Sequence, residues 1–246
     1  KISHFFDEKP LEPATESLFF EILARLKTGE PLQYVLGSAD FWGLKLKSDG
    51  RALIPRQETE ELVEAALHFL QKNPFSAARV LDVGTGTGCI PIVLKRKMPE
   101  LEVWAIDKSG AALDLAQENS MALFAPVHFL QLDFLMEEKW AQLPDFQLVI
   151  SNPPYIPERE KPLVSPGSLA FEPGLALFVE DDDPLIFYQK LAIFSQKKLA
   201  TGGAIFVECN EFNAAEVAQL FQESGLREVQ LRQDMMGKDR VVSAKK

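Results

Sequence analysis

From Arg79 onward the chain alternates short apolar β-type runs with loops and stretches of helical spacing, and few architectures accommodate that order. A strand, a helix and a further strand in succession bury their apolar faces best as a parallel sheet covered by helices. The strand runs fall at residues 80–83, 103–106, 127–131, 146–150 and 204–207, and helical spacing falls at 90–97, 111–123, 184–199 and 214–224. Two last runs, 228–231 and 240–243, lie close enough in sequence to pair antiparallel. The expected fold is therefore α/β: a mostly parallel seven-stranded sheet with helices on both faces and a C-terminal antiparallel hairpin.

The front of the chain has a different pattern. Leu18, Phe19, Ile22, Leu23 and Leu26 recur at helical spacing over 16–27, and Gly29 supplies a stop. Residues 33–46 are read as short strands broken by Gly37 and Gly43, with Leu44 and Leu46 alternating as in a hairpin. Next, Leu53-Ile54-Pro55-Arg56-Gln57-Glu58-Thr59-Glu60 leads into an amphipathic helix carrying Leu62, Val63, Ala66, Leu67 and Leu70. Thr59 or a neighbour is expected to cap it, and the acids favour its N-terminus. The organisation expected is a small helical segment at 1–30, a linker and β-hairpin at 31–54, and the main domain at 55–246. Residues 157–183 form a long stretch rich in Pro and acid, of the kind that is often functional.

With 246 residues, 46% of them hydrophobic, the chain can bury a sizeable core. It has no apolar run near the roughly 18 residues of a membrane span and no leader-like front, so no membrane partner is expected and a cytoplasmic setting is the default. A net charge of −10 opposes attraction to a phosphate backbone, so no stable nucleic-acid binding is expected. The densest basic cluster, Lys95-Arg96-Lys97, stands at the end of a helix, where the dipole favours cations. Cys89 and Cys209 lack a partnered spacing, and His4, His68 and His128 lack ligand spacing, so neither a disulfide nor a metal site is expected.

Chemistry concentrates at the predicted strand ends. Asp82-Val83-Gly84-Thr85-Gly86-Thr87-Gly88 lies where the first strand turns into the first helix, so bare backbone can approach a ligand. Its spacing is G-x-G-x-G. A dinucleotide fingerprint needs a glycine where Cys89 stands, which counts against NAD. Asp107 closes the second strand, where a carboxylate can accept two ribose hydroxyls, and Asp133-Phe134 closes the third, offering an acceptor for an exocyclic amino group and a ring to stack on a base. One acid at a strand end is an ordinary turn former; three in register are a site. After the fourth strand comes Ser151-Asn152-Pro153-Pro154-Tyr155. Its Asn oxygen and a proline-side carbonyl can accept the two hydrogens of a planar amino group, while a Tyr face stacks on the plane. Two prolines in succession hold such a turn rigid.

These motifs together resemble the HemK/PrmC family, methyltransferases that modify the glutamine of the Gly-Gly-Gln loop in peptide-chain release factors. The likeness extends to Pro31-Leu32-Gln33-Tyr34-Val35-Leu36-Gly37, to residues 53–60, to Phe171-Glu172-Pro173 and to the closing hairpin at 234–241. Gln57 stands where the family usually has proline, residues 179–183 lack its usual glycines, and only a remnant of its N-terminal helical docking domain precedes Pro31. The resemblance implies a class I methyltransferase fold and methyl transfer from S-adenosyl-L-methionine (SAM) to a glutamine side-chain nitrogen, leaving S-adenosyl-L-homocysteine. It implies cofactor contacts at Asp82, Gly84, Thr85, Gly86, Thr87, Gly88, Asp107, Asp133, Phe134 and Asn152. Asn152, Pro153 and Tyr155 carry the catalytic role, with Pro154, Arg56 and Glu58 joining them on the substrate. Release factors are the implied partners. The alternative is a DNA or RNA methyltransferase acting on adenine or cytosine amino groups, since those share the flat conjugated nitrogen and the Asn-Pro-Pro-Tyr pattern.

Overall fold

The structure is a computed structural model and describes residues 12–75 and 77–246. The first eleven residues of the expected 1–30 segment, His4 among them, lie outside it. The described residues open with helices α1 (Pro13–Lys27) and α2 (Leu32–Leu36), the hairpin β1 (Ser38–Phe41) and β2 (Leu44–Lys47), and helix α3 (Glu58–Lys72). The alternating part follows as β3 (Arg79–Val83), α4 (Cys89–Lys97), β4 (Glu102–Asp107), α5 (Gly110–Ala122), β5 (His128–Gln131) and β6 (Phe146–Ser151). Two short strands, β7 (Ile156–Pro157) and β8 (Phe178–Val179), bracket α6 (Pro166–Phe171) and α7 (Gly174–Leu177). Then come α8 (Ile186–Lys198), β9 (Leu199–Glu208), α9 (Ala214–Glu223), β10 (Arg227–Gln233) and β11 (Asp239–Lys245).

Seven strands make one sheet in the order β10-β11-β9-β6-β3-β4-β5. β9, β6, β3, β4 and β5 run parallel, and β11 runs antiparallel to both β9 and β10. The central strands are apolar on both sides because each side is covered. Leu148 and Ile150 on β6, with Ala204 and Phe206 on β9, face α3 and α4; Val149, Ile205 and Val207 between them face α8 and α9. This period of two is the strand pleat itself, and each fully buried side chain of this size contributes roughly 1.5–3 kcal/mol. β3 has β4 on one side and β6 on the other, so the chain leaves it in both directions and a crevice opens at its carboxyl end. In register there, Val83 pairs with Ser151 and with Ile106, and Asp107 pairs with Gln131.

Two local expectations are corrected, the extended reading of 33–36 and the cap of α3, while the expected hairpin is present. Residues 33–36 are helical, not extended: the Tyr34 and Val35 N–H groups return to the Pro31 carbonyl, and Gly37, at φ +67°, ends the turn. The hairpin turns on Trp42 and Gly43, both at positive φ; Trp42 is held there by its N–H on Glu60 Oε1 at 2.7 Å and its indole N–H on the Glu60 carbonyl at 3.1 Å. Thr59 does not cap α3, whose N-cap is Gln57 with no side-chain bond; its hydroxyl is turned inward to Glu208. The long stretch at 157–183 is built of short helical turns and the β7–β8 pair.

Asn119 on α5 binds the hairpin to the glycine turn. Its oxygen accepts the Lys47 N–H at 2.7 Å, and its amide donates to the Lys47 and Thr87 carbonyls at 3.0 Å each. α1 buries no residue and leaves Leu18, Phe19 and Phe20 exposed. Among the described residues no helix is long and apolar enough to cross a membrane.

Candidate active site

The glycine turn explains its own spacing. Gly84, Gly86 and Gly88 have φ of +76°, +55° and +79°, and alternate with threonines in ordinary conformations. Only glycine adopts that region freely, so every second residue must lack a Cβ. The N–H groups of Gly84 and Thr85 both donate to the Ile106 carbonyl, at 2.9 and 3.1 Å, which pins the turn over the end of β4. Gly88 also lies against α5: a Cβ there would sit 3.1 Å from that of Ala116.

A cavity of about 570 Å³ opens over this turn, within the range of small-molecule sites. Gly84 and Gly86 form part of its wall, and the position a Cβ would take at Gly84 is empty. Ile106, Ala112, Leu132 and Phe134 supply apolar surface; Asp107, Lys108 and Asp133 supply charge; Asn152, Pro153 and Pro154 line another side. Asp107 receives the Gly86 N–H at 2.9 Å and the Ser109 N–H at 2.8 Å, one on each oxygen, and keeps lone pairs free on both. Burial pushes its carboxyl above the ordinary range against these backbone donors. Burial acts on Asp133 too, but hydrogen bonds from Lys108, at 2.9 Å, and the Leu135 N–H outweigh it and hold Asp133 below its usual range. Phe134 lines the cavity but is almost fully buried, packed on Trp140 and Phe194 at centroid distances of 5.3 Å each.

Asn152 leaves the end of β6, where Ser151 is fixed by its hydroxyl on the Val83 carbonyl at 2.7 Å. Its amide nitrogen donates to Thr59 Oγ1 at 3.1 Å, and Thr59 donates in turn to Glu208 Oε2 at 2.7 Å. Tyr155 is not in the cavity wall: its ring packs against the α8–α9 side of the sheet, and burial raises its phenol. Arg56 pairs with the buried Glu172 at 2.6 Å, and Glu58 is exposed in the first turn of α3; neither lines the cavity. Asp82, Thr85, Thr87 and Gly88 support the turn from below rather than facing the cavity. Both Asp82 oxygens and the two threonine hydroxyls are buried, and among the described residues none meets a hydrogen-bond partner in full geometry, the Thr85 hydroxyl lying nearest to Asp82. Burial pushes the Asp82 carboxyl up to about 7, with Thr85 easing it and the Asp107 charge adding to it.

Lys108, Glu208 and Thr59 as a partner of Asn152 carry no local sequence signal, and neither does the wall from Leu175 to Phe187. The long acidic stretch was flagged, yet nothing in it says that Leu175, Phe178, Glu180 and Asp183 face the cavity.

Two family descriptions match: "Methyltransferase small domain" over residues 59–164, and "PrmC N-terminal domain" over residues 4–37. Curated relatives named release factor glutamine methyltransferase include one from Bordetella pertussis, 40% identical over 96% of this chain and 85% of its own length. Another, from Lactococcus lactis, is 40% identical over 93% and 82%, and one from Flavobacterium psychrophilum is 37% identical over 90% and 77%. The chain belongs to the release factor glutamine methyltransferase family. Solved structures agree on the fold of this family member: a T. thermophilus 16S rRNA N2 methyltransferase in complex with AdoMet and guanosine matches with a TM-score of 0.59 at 20% identity, covering 85% of this chain and 49% of that one. The hMettl16 catalytic domain, solved with an RNA hairpin, matches with a TM-score of 0.64 at 15% identity, covering 87% and 81%. The expected class I methyltransferase architecture, sheet and closing hairpin included, is thus the one observed.

Proposed function

We propose that this chain transfers a methyl group from SAM to the side-chain nitrogen of the glutamine in a release factor's Gly-Gly-Gln loop. The observation that carries the reading is the position of Asn152: it lines the same cavity as the glycine turn and Asp107, so a bound acceptor amide and a bound methyl donor share one space. The residues fit the donor. The Gly84–Gly86 backbone leaves room for it, Asp107 retains acceptor capacity for vicinal hydroxyls, and Ile106, Leu132 and Phe134 offer an apolar bed for a base. When bound, SAM supplies a methyl activated by a sulfonium.

An amide nitrogen is a weak nucleophile because its lone pair is delocalised into the carbonyl. Asn152 Oδ1 and the Pro153 carbonyl accept its two hydrogens, orient the nitrogen and favour the positive charge that develops on it. Positioning and electrostatics then carry most of the rate. The proton leaves to solvent after transfer. In this assignment Asp82, Thr85, Thr87 and Gly88 hold the turn; Arg56 and Glu172 hold the 54–56 segment; Tyr155 fixes the Asn-Pro-Pro turn from behind.

A nucleic-acid amino group would fit the same chemistry, but the chain is disposed against it. Its net charge is −10, and Lys95 spends its ammonium on the Pro99 and Leu101 carbonyls while Arg96 binds the Leu123 carbonyl. A cytoplasmic setting, with residues 1–30 contributing to docking of the release factor, goes with this reading. The test is mass spectrometry of release factor incubated with the enzyme and SAM: one added methyl on the Gly-Gly-Gln peptide is expected, and an unmodified peptide contradicts it.

A further inference from the structure

The Asn152 amide has two ends of nearly equal shape, and only one of them serves an acceptor nitrogen that arrives with hydrogens. With its oxygen toward the cavity, Asn152 accepts; with its NH₂ toward the cavity, donor faces donor and the acceptor is repelled. Something must fix the choice. The structure places the Asn152 nitrogen 3.1 Å from Thr59 Oγ1, and the Thr59 hydroxyl donates to Glu208 Oε2 at 2.7 Å. An ionised carboxylate only accepts, so it takes the single proton of the Thr59 hydroxyl. Thr59 Oγ1 is then left with lone pairs alone, and the neighbouring end of Asn152 must be the donor. Thr59 and Glu208 are both buried, so water does not relieve a wrong pairing.

We propose that Thr59 and Glu208 are positioning residues that act through Asn152, setting its amide with the oxygen toward the acceptor nitrogen. The relay joins the start of α3, the end of β6 and the end of β9, so it couples the signature at 53–60 to the Asn-Pro-Pro turn. It also has a protonation dependence. A neutral Glu208 can donate to Thr59, whose hydroxyl then turns to the Asn152 oxygen and stabilises the inverted amide. Glu208 is faced by Arg240 from β11, Arg56 and Glu58 ahead of and on α3, Tyr155 beyond β6, Tyr188 on α8, Cys89 on α4 and Cys209 beyond β9. Burial dominates among them and pushes Glu208 up to about 7, against the Thr59 hydroxyl and the two arginines.

The proposal rests on the reading of Asn152 as the residue that receives the acceptor amide. It is tested with wild type, Thr59→Val, Thr59→Ser, Glu208→Gln and Asn152→Ala, each checked for a cooperative melt. Calorimetry gives SAM affinity, and release-factor methylation at saturating SAM gives kcat and KM. Thr59→Val removes the hydroxyl at constant shape and should lower kcat about tenfold, the worth of one lost hydrogen bond, with SAM affinity unchanged. Thr59→Ser should restore most of that rate. From about pH 5.5 to about 8.5 the wild-type kcat should rise with a midpoint near the Glu208 titration, and Glu208→Gln should flatten that rise. A folded Thr59→Val with wild-type kcat, or an identical pH profile in Glu208→Gln, overturns the relay while leaving the function intact. An Asn152→Ala enzyme as active as wild type, or a wild type inert on release factor, overturns the underlying reading and the relay with it.

Discussion

The Asp107 carboxylate receives the backbone N–H of Gly86 across 2.9 Å and so ties the end of β4 to the glycine turn of β3. One side chain thus shapes the turn and offers its remaining lone pairs to the cavity. Asp107→Ala removes both roles. It should weaken SAM binding by about ten- to a hundredfold, the roughly 1.5–3 kcal/mol of hydrogen bonds to a charged acceptor. Isothermal calorimetry on a folded variant checks this, and an unchanged Kd refutes the assignment.

In the proposed assignment Asn152 serves the acceptor amide, and the cofactor contact that the family resemblance also implies there is the lesser of its roles. Asn152→Ala should reduce kcat on the order of a hundredfold, as losing a transition-state contact does, and leave SAM affinity within about twofold. Loss of SAM binding as severe as in Asp107→Ala would show that the division of roles is wrong.

Arg56 and Glu172 predict a stability effect. The Glu172 carboxylate is buried and accepts from Arg56 Nη2 at 2.6 Å and the Ile54 N–H at 3.1 Å, joining the 54–56 segment to the loop ahead of α7. Arg56→Ala strands that carboxylate, but the arginine is partly solvated, so the cost should be about 2 kcal/mol, short of a fully buried pair. Urea unfolding measures it. The double variant with Glu172→Ala should cost less than the two singles added, because the stranded charge is gone.

Asp82 predicts the pH dependence of stability. Its folded carboxyl is pushed up to about 7 by burial, whereas an unfolded aspartate titrates near about 3.9. The folded state therefore holds the proton more tightly, and this contribution to stability is complete below about pH 4, shrinks as pH rises, and is gone above about pH 7. Melting curves should show Asp82→Asn losing less stability than wild type between about pH 5 and about pH 8. Parallel curves would mean that Asp82 titrates as an exposed acid.

Much of the fold was legible because it rests on local periodicity. The strands around Leu81, Ile106, Phe146 and Ile205 are apolar on both faces, and the Gly84-Gly86-Gly88 spacing carries its conformational reason within itself. The acids at 107 and 133 were legible for the same cause: strand ends in a parallel sheet converge. Pairings across distant sequence were not. Thr59 looks like a helix cap from its neighbours, and only the fold brings Glu208, at the end of β9, within 2.7 Å of it. Residues 33–36 show strand-like composition, yet the Pro31 carbonyl and Gly37 close a helical turn there. Tyr155 reads as a stacking ring beside two prolines, but the chain direction after Pro154 carries it under the turn.

The substrate is tested by presenting the enzyme with release factor, a Gln→Ala release factor, DNA and ribosomal RNA side by side with methyl-labelled SAM. Label is expected on the intact release factor alone. A modest salt dependence is also expected, unlike the loss of roughly 10³ or more over a fourfold rise in salt that an enzyme gripping six or more phosphates would show. Label on either nucleic acid, or equal label on the Gln→Ala protein, would contradict this assignment.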